Sequence, residues 1–66
     1  MLQNLRDMIG DTGDVNEEYG GYEIVVNNKD KFPWYEICNF LLDSSFEVWM
    51  VKSESSLIIM SKPAVD

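Results

Sequence analysis

The feature that most limits what this chain can fold into is a mismatch of faces. Its strand-forming segments, Tyr22 to Val26, Phe46 to Val51 and Leu57 to Met60, carry apolar residues at successive positions and hence on both sides of a sheet, yet only one long amphipathic helical segment is available to cover them. One helix covers one side. The other must be closed by the N-terminal segment, by a second copy or by a different protein.

The covering segment follows Pro33, a residue suited to the opening turn of a helix, with Asp30 or a neighbour as the expected cap. Trp34, Ile37, Cys38 and Leu41 then share one stripe, and the helix should end near Asp43-Ser44-Ser45, where no glycine is present to close it. Tyr35, Phe40 and Leu42 lie off that stripe, with Phe40 expected at the core edge. At the N-terminus Leu2, Leu5 and Ile9 recur at spacings of three and four before Gly10, which predicts a short helix over residues 1–9 that is stable only when docked. Residues 10–21 hold Asp11, Asp14, Glu17 and Glu18 without a lysine or arginine, and Gly13, Gly20 and Gly21 interrupt any period; an acidic mobile loop is expected there.

These elements predict an α+β fold in one small domain: the helix 1–9, the loop 10–21, a β-α-β-β core over 22–62 and a frayed tail 63–66. The sheet is expected to be three-stranded. Leu57 to Met60 has neither charge nor proline and suits the centre, giving the order first, third, second with a right-handed crossover; a meander is the competing arrangement. A two-residue turn at Glu54-Ser55 would put Phe46, Val48, Met50, Leu57 and Ile59 under the helix. Trp49, Val51, Ile58 and Met60 would then face the other way, with Val25 joining them and Glu47 and Lys62 at the margin.

The chain has no histidine, which removes the commonest general base and metal ligand. Cys38 is the only cysteine, so no disulfide forms within the chain and zinc has too few ligands. Asp11, Asp14, Asn16 and Glu18 resemble a calcium loop only loosely, since Tyr19 and Val25 would occupy the positions needing glycine and the bidentate glutamate. Glu17-Glu18 is too loosely held to serve as a catalytic pair. No catalytic, cofactor or metal residues are therefore expected. The net charge of -7, with five scattered basic residues against twelve acidic ones, argues against direct binding to nucleic acid or to an anionic membrane. The longest apolar run is too short to span a bilayer, no secretory signal is expected, and a reducing, cytoplasmic setting fits best.

The expectation is a small acidic, non-enzymatic protein-binding module, an inhibitor or adaptor of the kind that viruses and mobile elements carry, with nucleic-acid mimicry toward a basic nucleic-acid-binding protein as one route. Trp49, Val51, Ile58 and Met60 would anchor the partner, and Glu17, Glu18 and Glu47 would steer it. The alternative is an obligate homodimer with a structural or regulatory role, in which two such faces pack together.

Overall fold

The computed structural model describes residues 1–64. Helix α1 spans Leu2–Ile9 and buries Leu5 and Ile9, with Leu2 and Met8 at the core margin, so the three-and-four spacing does place one side inward. Gly10, at φ 58°, ends the helix and leads into a 3-10 turn over Gly10–Thr12, where the Thr12 hydroxyl donates to the Ile9 carbonyl at 2.6 Å.

Strand β1, Gly13–Glu18, then pairs antiparallel with β2, Gly21–Val26. This corrects the expected loop: most of the acidic segment is a strand, and the sheet has four strands rather than three. An edge strand with one face in water needs little apolar content, and Val15 alone supplies the buried side chain here. Glycines that break a helical period serve the strand pair instead. A Cβ on Gly13 would come within 2.6 Å of the Val25 carbonyl oxygen and 3.3 Å of Ile9 and Phe32, so only glycine lets the helix end and the strand approach so closely. The turn residues Tyr19 and Gly20 have φ 49° and 82°, the left-handed pair required by a tight hairpin whose twist matches its strands.

After β2 the chain is held by Asn28, whose carbonyl accepts from Phe32 and whose side-chain oxygen accepts from the Lys31 N–H. Phe32 is buried and meets Trp34 edge-on at 4.8 Å, and the Trp34 indole donates to the Lys29 carbonyl at 2.8 Å. Helix α2, Trp34–Asp43, starts at Pro33 without a side-chain cap, so Asp30 does not cap it. Ile37 and Leu41 are fully buried, Cys38 is a half-buried free thiol, and Phe40 packs at the core edge while Tyr35 and Leu42 are exposed. Without a glycine the helix is closed by serines: the Ser44 hydroxyl donates to the Phe40 carbonyl at 2.8 Å, and Ser45 takes the left-handed conformation at φ 65°.

Strands β3, Phe46–Lys52, and β4, Leu57–Pro63, form a hairpin in which Lys52 pairs with Leu57 and Ser53 with Ser56, leaving Glu54 and Ser55 as the turn. The sheet order is β1-β2-β4-β3 with every neighbouring pair antiparallel, so β2 and β3 run parallel on either side of β4. That is the split β-α-β arrangement expected for three strands, extended by β1. Pro63 closes β4 instead of fraying, and Ala64 donates to the Ser45 carbonyl; the last two residues of the expected tail lie outside the described residues.

Both helices lie on one side of the sheet. Leu5 and Ile9 from α1, Ile37 and Leu41 from α2, and Phe32 meet Val15, Ile24, Val26 and Ile59, which the strand register places on a single face. Ser61, on that face between Tyr22 and Val48, is 3% exposed, and its hydroxyl has no hydrogen-bond partner among the described residues. An unsatisfied buried hydroxyl costs about 1–3 kcal/mol.

Two substitutions check these backbone and core assignments. Ser45→Gly should raise unfolding free energy by about 0.5–1 kcal/mol in urea titrations, because glycine adopts the left-handed conformation without a Cβ penalty. Ser61→Ala should leave stability unchanged or raise it by about 1 kcal/mol, since it removes a buried polar group that has no partner. Loss of stability in either variant would contradict the corresponding assignment.

Candidate interaction surface

The face turned away from the helices is built by alternation along the four strands. Register sets three rows across it: Glu18, Gly21, Lys62 and Glu47; Asn16, Glu23, Met60 and Trp49; Asp14, Val25, Ile58 and Val51. No helix covers these rows among the described residues, because α1 packs beside β1 on the opposite face and touches α2 there. The N-terminal helix therefore leaves this side open.

The face is divided in composition. Its β4–β3 half carries Ile58, Met60, Trp49 and Val51, with Val25 continuing the apolar patch onto β2. Trp49 and Val51 are each 42% exposed, far more than the buried Ile24 and Ile59 on the helix side, but Met50, expected under the helix, is 54% exposed because it sits on the edge strand beyond the helices' cover. The β1–β2 half carries Asp14, Asn16, Glu18 and Glu23, and Asp14 accepts a hydrogen bond from the Asn27 side chain at 3.0 Å. Lys62, its ammonium 5.9 Å from the centre of the Trp49 ring, is the one basic residue in the three rows, and Glu47 lies opposite it in the β3–β4 register.

Of the residues expected to bind a partner, Trp49, Val51, Ile58, Met60, Glu18 and Glu47 share this face. Glu17 does not: adjacent residues of a strand point to opposite sides, so Glu17 lies on the helix side opposite Tyr22 and is separated from Glu18 by the sheet itself. A paired role for the two glutamates is thereby removed. The residues that sequence reasoning missed are Asp14, Asn16 and Glu23, and alternation about Val15 was the only signal that could have placed the first two. Asp11, Asp14, Asn16 and Glu18 do not converge either; among the described residues no cluster of three or more histidine, cysteine, aspartate or glutamate side chains forms a metal site. No helix is long and apolar enough to cross a membrane. At the hairpin tip Tyr19 is fully exposed.

No protein-family model matches this chain, and no curated protein or solved structure matches it.

The neighbours Ile58 and Ile59 provide a direct check of which face is core. Ile59→Ala should cost about 2–4 kcal/mol, as deletion in a packed core does, whereas Ile58→Ala should cost about 1 kcal/mol or less because water already reaches its side of the sheet. Equal losses in chemical denaturation would mean that both sides are core.

Proposed function

We propose that this chain is a small acidic, non-enzymatic binding module that docks its open sheet face on a partner protein, as an inhibitor or adaptor. One observation carries the reading: an apolar patch containing Trp49, Val51, Ile58 and Met60 lies uncovered beside a carboxylate-bearing half on the same face. Aromatic and aliphatic anchors bury much area at little rotamer cost, and the adjoining charge selects among approaching surfaces. A matching partner presents an apolar hollow bordered on one side by lysine or arginine. The basic groove of a nucleic-acid-binding protein meets that description, which keeps nucleic-acid mimicry as one form of the proposal. The free Cys38 thiol suits a reducing intracellular setting.

Stacking this face on a copy of itself fits less well. With Asp14, Glu18 and Glu23 confined to one half, a two-fold axis running across the strands sets carboxylates against carboxylates, while one running along them sets carboxylates against the apolar half. Either arrangement is unfavourable for a chain of net charge -7.

The test compares wild type with Trp49→Ala and Glu23→Gln in capture from a cell lysate, followed by affinity measurements on the identified partner over a range of sodium chloride concentrations. Trp49→Ala should remain folded by circular dichroism and lose about 2 kcal/mol of binding. Glu23→Gln should weaken binding less and flatten its salt dependence, and wild-type affinity should fall as salt rises. Equal binding by wild type and Trp49→Ala, or unfolding of Trp49→Ala, would overturn the docking role of this face.

A further inference from the structure

The sheet has two edges, and they are chemically opposite. The β1 edge is guarded by Asp14, Glu17 and Glu18, whereas β3 has Glu47 and Lys52 near its ends and Val48, Trp49, Met50 and Val51 between them. Charge of one sign along an edge is a common defence against pairing with another chain, and β3 lacks it. Among the described residues, no strand is hydrogen-bonded to the outer side of β3. Its outer backbone groups can be assigned from the hairpin. Ser53 donates to the Ser56 carbonyl at 2.9 Å, and at the other end Ala64 donates to the Ser45 carbonyl at 2.9 Å. Hydrogen-bonded and non-hydrogen-bonded pairs alternate along an antiparallel ladder, so Glu47, Trp49 and Val51 turn their N–H and C=O groups toward β4. Phe46, Val48, Met50 and Lys52 turn theirs outward.

We propose that β3 is a self-pairing edge: two copies join antiparallel through β3 about a two-fold axis perpendicular to the sheet, centred at Trp49. In this register Phe46 pairs with Lys52 of the second copy and Val48 with Met50, so every outward backbone group of the strand is used. On the open face Trp49 meets Trp49 of the second copy in a non-hydrogen-bonded pair, where side chains approach most closely, and Glu47 meets Val51. No like charges face each other directly. The strand is neutral overall, with one acid and one base, and is therefore the part of a chain of net charge -7 that a second copy can approach at least electrostatic cost. At the β1 edge the same operation would bring carboxylates of the two copies together.

This mode uses the edge and needs no partner protein, although it shares Trp49 with the face docking proposed above. Salt distinguishes them: it weakens docking on a basic partner but strengthens association of two acidic copies by screening their residual repulsion. The experiment is sedimentation velocity and light scattering on the full chain from micromolar to millimolar concentration, at low and high sodium chloride. A monomer–dimer equilibrium that tightens with salt is expected. Met50→Lys should weaken it at least about tenfold, because an edge charge opposes strand addition. Met50→Pro should weaken it similarly, since it removes an outward donor without touching the β4 ladder. Should the proline variant unfold, the lysine variant carries the comparison. Register is read by disulfide trapping in a Cys38→Ser background: Trp49→Cys should crosslink two copies across the axis, and Val51→Cys should not. A monomer at all concentrations and salts, or a dimer indifferent to Met50→Lys that crosslinks equally through both cysteines, overturns the proposal. Either result leaves the partner-binding face to its own test.

Discussion

The arrangement of this protein depends on where α1 goes. In a chain of 66 residues the core is thin, and both helices are spent on the same face of the sheet: α1 lies beside β1, α2 beside β3, and they touch between. What sends α1 to that side is a sequence of close approaches. Gly10 reverses the chain with a positive φ, Thr12 binds back to Ile9, and Gly13 lets the strand begin against Val25, Ile9 and Phe32. Once Leu5 and Ile9 are committed to Val15, Ile24 and Ile37, no further helix remains among the described residues for Val25, Ile58, Met60, Trp49 and Val51.

Much of this was legible in the sequence, and the part that was not shares one physical cause. The two helices and the separation of Ile58 from Ile59 follow from apolar periodicity, the central place of Leu57 to Met60 from its lack of charge and proline, and the turn at Glu54-Ser55 from the polar run that interrupts the hairpin. Strand β1 buries one large side chain, Val15, and its solvated positions tolerate Asp14, Asn16 and Glu18 without penalty. Its turn is disguised as well: Tyr19 is a typical strand residue, here in a left-handed conformation that Asn or Asp would have announced. The acidic half of the open face was therefore hidden within an apparent loop, while its apolar half was visible from the hairpin alone. Ser45 hides the end of α2 in the same way, by occupying a conformation where glycine is the usual signal.

The charge is unevenly distributed, and the unevenness matters more than the total. Carboxylates concentrate on β1 and the adjoining part of β2, which protects one edge from strand addition and gives the open face a repulsive half. Toward β3 the sheet becomes apolar and nearly neutral. A uniform distribution would keep the protein soluble without distinguishing one part of its surface from another; this one sets an acidic edge against a neutral, apolar one.

Edge and face are also linked by symmetry. A two-fold axis perpendicular to a sheet preserves the sides, so copies joined through β3 place their helices together on one side and their open faces together on the other. Pairing would then leave each Trp49 patch accessible and make it continuous with its copy across the junction. Two weak contacts with a partner that also presents repeated sites become one intramolecularly reinforced contact, and avidity can exceed either affinity without any new interaction.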